Sequence, residues 1–158
     1  MKKLIKLMLC ALLMVTFMGA CAKGGDDATV GTMLAEEFKD CYEGKTILEV
    51  AETLSTSENL PFSGIAMEVH PGLLTGFDNY EVTGFKKGAM FAPMMGTIPF
   101  VGYVFELDET TDVETFKTNL EDNANLRWNI CTEAEEITVT NEGKVVFFLM
   151  APKAFEEE

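Results

Sequence analysis

The stretch Ile137-Thr138-Val139-Thr140-Asn141-Glu142-Gly143-Lys144-Val145-Val146-Phe147-Phe148-Leu149-Met150 decides the fold class. It opens on alternation, with Ile137 and Val139 apolar against Thr138 and Thr140. It breaks at Asn141-Glu142-Gly143, then resumes as an unbroken apolar run from Val145 to Met150. Alternation predicts a strand with one solvated face, the Asn-Glu-Gly break predicts a tight turn, and the apolar run predicts a strand covered on both faces. A C-terminal β-hairpin follows, with its second strand central in a sheet.

Upstream, Asp112 is placed to cap a helix whose Val113, Phe116 and Leu120 share one face. Before it, residues 88–105 run for 18 positions without a charge, between Lys87 and Glu106. That length alone suits a transmembrane helix. Composition argues against one: Pro93 and Pro99 break a helix, Gly88, Gly96 and Gly102 weaken it, and the second half is rich in Ile, Val, Phe and Tyr. Two strands, Gly88 to Met95 and Thr97 to Leu107, turning at Gly96, are expected instead. Pro93 cannot donate to a ladder, so Pro93 to Thr97 is expected at the rim of the sheet and Phe100 to Phe105 in its core.

Nearer the N-terminus, Leu34, Phe38, Cys41 and Tyr42 at helical spacing predict a helix from Thr32 to Tyr42, stopped at Gly44. Thr46 with Glu49 forms a capping-box pattern ahead of Ile47, Val50, Ala51 and Leu54. A short strand is expected from Gly64 to Val69, closed by His70-Pro71-Gly72, and another from Tyr80 to Phe85. The order predicts an α+β fold: a mostly antiparallel sheet with helices packed on one face, two N-terminal helices and a C-terminal β-hairpin.

The first twenty-one residues carry a different message. Lys2, Lys3 and Lys6 precede a stretch from Leu7 to Met18 that is apolar except at Thr16, and Gly19, Ala20 and Cys21 follow. A charged start, a short apolar core and small residues before a cut mark an export signal, here residues 1–20. Twelve residues make about 18 Å of helix, too short for a permanent span. Met18-Gly19-Ala20-Cys21 resembles the bacterial lipobox. That resemblance implies thioether lipidation of Cys21, cleavage before it, and acylation of the new amino terminus. The expected organisation is a signal peptide over 1–20, a lipidated Cys and Gly/Asp-rich tether over 21–31, one domain over 32–153, and an acidic tail over 154–158.

Removing residues 1–21 removes three lysines and no acid from 12 basic and 26 acidic residues, which leaves nine basic residues and a net charge of −17 (9 − 26). Such a field repels nucleic acid and anionic head groups. The expected setting is the extracytoplasmic side of a cell membrane, the outer membrane where the host has one, with the bilayer as partner through Cys21.

Asn123-Ala124-Asn125-Leu126-Arg127-Trp128-Asn129-Ile130-Cys131, leading into the hairpin, together with Pro93-Met94-Met95-Gly96-Thr97-Ile98-Pro99-Phe100, resembles a family of small, uncharacterised bacterial lipoproteins over about residues 88–150. The resemblance implies the lipoprotein class and an α+β domain. It brings no activity and no functional residues.

Catalytic patterns are poor. There is no Gly-x-Ser-x-Gly elbow, His70 is the only histidine, and Glu106, Asp108, Glu109 and Asp112 fall at a strand end and helix start, where acids stay solvated. No Gly-rich loop precedes a helix, no Cys-x-x-Cys suggests zinc, and no cofactor is expected. Cys41 and Cys131 leave two states open: a bridge enclosing a long loop, or two thiols, with Cys41 acting as a small hydrophobe on its helix stripe. Arg127-Trp128 either recognises a ring or carboxylate at the surface or packs down to close the core. The expected function is a non-catalytic binding or interaction module using Pro93, Met94, Met95 and Trp128. The alternative is a thiol-redox or soft-metal-binding lipoprotein using Cys41/Cys131 or Met90/Met94/Met95, with Met67 and His70 nearby in sequence.

Overall fold

A computed structural model describes residues 28–155. Cys21, the signal segment, most of the tether and the three terminal glutamates lie outside the described residues.

Helix α1 spans Val30–Cys41. Thr29 caps it reciprocally with Thr32, each side chain accepting from the other's backbone N–H at 2.8 and 3.2 Å. Val30, Leu34 and Phe38, spaced by four, form its buried face. The helix therefore starts two residues before the expected Thr32, and Val30 and Gly31 belong to it and not to the tether. Helix α2 spans Ile47–Ser55 and carries the capping box read from the sequence. Glu49 N–H donates to Thr46 Oγ1 at 3.3 Å, and Thr46 N–H donates to Glu49 Oε2 at 2.7 Å.

The strands are β1 Gly64–Val69, β2 Gly72–Leu73, β3 Glu81–Val82, β4 Phe85–Pro93, β5 Val101–Leu107, β6 Glu136–Glu142 and β7 Val145–Ala151; helix α3, Val113–Asn123, follows β5. Five strands form one antiparallel sheet in the order β1-β4-β5-β7-β6, while β2 and β3 pair separately. The strand expected from Tyr80 to Phe85 is split, because Gly84 at φ +92 turns the chain between β3 and β4. The turn expected around Gly96, at Met95-Gly96-Thr97, is a seven-residue loop, 94–100, bounded by β4 and β5, and Pro99, which cannot donate to a ladder, lies within it. In the hairpin, Asn141 and Glu142 stay paired with Val146 and Val145. The turn is made by Gly143, at φ +57, and Lys144; a left-handed residue there lets the strands keep their twist.

The fold is α+β with an antiparallel sheet and a C-terminal hairpin, but its helices do not share a face. Helices α1 and α2 cover one face, burying Leu34, Phe38, Val50 and Leu54 against Phe91, Val104, Phe147 and Leu149. Helix α3 covers the other, where Phe116 and Leu120 join Tyr103, Phe105, Val146 and Phe148. The reason lies in β5 and β7. Val146, Phe147, Phe148, Leu149 and Met150 alternate strictly between the two clusters, so both faces of the central strands are apolar and each needs a cover. Tyr103, fully buried in the second cluster, donates its hydroxyl to the Thr75 carbonyl at 2.9 Å; burial pushes its phenol well above the ordinary range. The tail expected from residue 154 is not wholly solvated, since Phe155 packs edge-on against Phe62 at 5.6 Å.

Candidate functional site

Antiparallel register fixes which groups meet at each end of the sheet. Gly64 pairs with Pro93, Val101 with Met150, and Glu136 with Ala151. The loop 94–100 therefore projects from the same end as the start of β6 and the close of β7. The segment between α3 and β6 folds over that end. Ala134 N–H donates to the Leu126 carbonyl at 2.9 Å, and Glu135 N–H to the Ala151 carbonyl at 2.9 Å. Two side chains tie the loops together: Asn129 Nδ2 donates to the Gly96 carbonyl at 2.6 Å, and Thr132 Oγ1 to the Thr97 carbonyl at 3.3 Å.

These two loops form a rim. Met94 and Met95 stand 72% and 76% exposed and Ile130 stands 97% exposed, the most exposed large apolar side chains in the described residues. Pro93 and Trp128 are half-buried. Trp128 packs partly onto the second cluster, the core-closing placement, while Arg127 is exposed and lies 3.5 Å from Glu133. Residues 93–100 and 128–132 contain no charged side chain. Ile130 was not singled out by sequence reasoning. The only available signal was the charge-free run it sits in, since a lone apolar residue after a helix has no periodicity to mark it.

The other sequence candidates disperse. Cys41 and Cys131 are free. Cys41 closes α1, whose Phe38 stacks on Phe147 and whose C-cap Tyr42 lines a cleft with Glu106 and Val145, at the hairpin-turn end of the sheet. Cys131 lies on the rim at the opposite end. Five residue steps along β5 separate those ends by roughly 17 Å, far beyond the reach of a disulfide. The bridge left open by the sequence is not formed. Burial raises the Cys41 thiol above its usual value, with Lys45 opposing. Without reductant both thiols are expected to alkylate, exposed Cys131 promptly and Cys41 slowly. Time-resolved mass spectrometry of the labelled protein checks this, and a chain that labels at neither until reduced would restore the bridge.

Met90 lies opposite Met67 in the β1/β4 ladder and packs partly on the second cluster, four residues back from exposed Met94. His70 follows the Val69–Gly88 pair, at the far end of β1 from Met94 and Met95. Among the described residues, no group of three or more His, Cys, Asp or Glu converges on a metal-sized space. Of the carboxylates near 106–112, Asp112 and Glu106 have structural partners. Asp112 caps α3 through the Thr115 hydroxyl and N–H, which hold its carboxyl below the usual range. Glu106 lies 3.0 Å from Lys86 and 3.6 Å from Lys87. One cleft is a shallow groove of ≈ 630 Å³ along α1, lined by Met33, Glu36, Glu37, Asp40 and Glu58. A second, of ≈ 590 Å³, lies where Asp78 accepts from Asn125 Nδ2 at 2.9 Å. Neither is lined by a serine, cysteine or histidine.

The chain shows no significant match to any protein-family model, curated protein or solved structure.

Proposed function

We propose that this chain is a bacterial lipoprotein of the small class its sequence resembles, held through Cys21 on the extracytoplasmic side of a membrane, with its α+β domain a non-catalytic interaction module. The observation that carries the reading is the order Lys2-Lys3-Leu4-Ile5-Lys6, the apolar run to Met18, and Gly19-Ala20-Cys21. The position of the domain in the sequence supports it: its first helix begins at Val30, nine positions after Cys21. Several acyl chains on one terminus exceed the two-signal requirement for stable anchoring. For the module itself, the support is the exposed apolar rim of Met94, Met95 and Ile130, the most exposed large apolar side chains among the described residues.

The test is mass spectrometry of the N-terminus of the protein made in an exporting bacterium. The expected species is an acylated chain beginning at Cys21, with Cys21→Ala accumulating as unprocessed or unlipidated protein. A mature chain that begins anywhere else overturns the reading.

A further inference from the structure

We propose that the apolar tip of the rim is a membrane-docking surface, on which Met94, Met95 and Ile130 enter the interfacial layer of the same bilayer that holds the lipid of Cys21. The inference rests on the lipoprotein reading and adds an orientation to it.

The first argument is where the chain leaves the domain. Val30 N–H donates to the Lys153 carbonyl at 2.9 Å, and Gly31 N–H to Glu136 Oε1 at 2.7 Å. Glu136 pairs with Ala151 and Val101 with Met150, so the first turn of α1 sits at the rim end. From β6 to β4 is three strand spacings, about 14 Å across the sheet. The nine positions from Cys21 to Val30 can reach at most about 30 Å. The chain therefore leaves the domain at the rim end, and an anchor at Cys21 holds the rim within reach of the bilayer.

The second argument is chemical. Residues 93–100 and 128–132 of the rim carry no ionisable side chain except the thiol of Cys131 and present thioethers and a β-branched alkyl group with an indole beside them, flanked by the exposed Arg127–Glu133 pair. Such groups partition into the interface, and Trp favours that depth. The opposite end of the sheet carries Lys86, Lys87 and Glu106 in ion pairs, with Glu142 nearby on the hairpin, and would pay desolvation on docking. Three side chains would bind a bilayer weakly from solution. The tether makes the contact intramolecular, where a high effective concentration populates a weak contact.

Trp128 is the only tryptophan, and it lies within the rim. The full lipidated chain is reconstituted in phosphatidylcholine vesicles whose acyl chains carry bromine near the glycerol. Trp128 emission is expected to shift to the blue and to be quenched. Met94→Gln/Met95→Gln/Ile130→Gln should lose that quenching while its melting temperature stays unchanged, because all three side chains are exposed. Should the triple variant melt early, Ile130→Gln alone, at the most exposed position, must still reduce the quenching. Anionic lipid should weaken it at low salt, since the domain is acidic. A chain that stays on vesicles through Cys21 with Trp128 unquenched overturns the docking and leaves the anchor standing. A chain that lacks acyl groups at Cys21 and does not bind the vesicles instead removes the lipoprotein reading, and the docking with it. Shielding of Trp128 that appears only when a second protein is added, never in pure lipid, overturns the docking in favour of a protein surface.

Discussion

Phe38→Ala and Phe116→Ala are each expected to destabilise the domain by about 3–5 kcal/mol, the usual cost of emptying a packed phenylalanine site. Phe38 is fully buried under α1, stacked on Phe147 at 5.5 Å and tilted against Tyr42 at 5.6 Å. Phe116 is 5% exposed under α3 and meets Phe105 edge-on at 5.5 Å. The sheet stands between them, and sheet and helix layers pack about 10 Å apart, so the two sites share no partner. Their costs should therefore add to within about 0.5 kcal/mol. A domain of this size holds about 5–15 kcal/mol in all, so the double variant should be largely unfolded in water, or close to it. Phe38→Ala and Phe147→Ala, which empty one contact from both sides, should fall short of additivity. Urea unfolding followed by circular dichroism reads all of these as midpoint shifts at constant slope. A cost below about 1 kcal/mol at Phe116 would mean that α3 does not seal a second core.

That two-sided core shows where sequence reasoning reached and where it stopped. The run Val145 to Met150 already implied a strand covered on both faces, and the structure covers it so. Assigning all three helices to one face ignored that implication, because each helix taken singly shows only that it has one apolar stripe. Nothing in Val113, Phe116 and Leu120 says which side of the sheet the stripe meets. Capping chemistry was legible at two helices, in Thr46 with Glu49 and in Asp112, which act through side chains at fixed local spacing, whereas the Thr29–Thr32 cap of α1 went unread. The rim was legible in part. Pro93 pointed to it by lacking an N–H to donate, and Met94 and Met95 followed, whereas Ile130 reaches the same end only through long-range bonds such as Asn129 to Gly96. The distance between Cys41 and Cys131 is of the same kind: it depends on β5 running the length of the sheet between them.

Gly102 is expected to tolerate no side chain. It lies opposite Phe91 in the β4/β5 ladder and opposite Leu149 in the β5/β7 ladder. A Cβ built there would overlap the Phe91 ring. The ring has nowhere to go: Phe91 is fully buried, with Phe100 at 5.8 Å and Phe147 at 6.2 Å from its centroid. A ring laid over a cross-strand glycine covers backbone that would otherwise go unpacked. Gly102→Ala trades a modest gain in strand propensity, under about 1 kcal/mol, for an overpacking cost of about 1–3 kcal/mol. The net is destabilising, and Gly102→Val, which adds two more carbons in the same space, should cost more. The clash has a signature that a general intolerance of substitution would lack. Phe91→Leu removes part of the ring and by itself should destabilise the first core, yet combined with Gly102→Ala it should cost less than the sum of the two, because the shortened side chain makes room for the methyl group. Urea midpoints of the two single variants and the double variant close the cycle. A strictly additive double variant, or a Gly102→Ala protein as stable as the parent, would show that the ring moves aside freely and that the glycine marks no tight contact between β4 and β5.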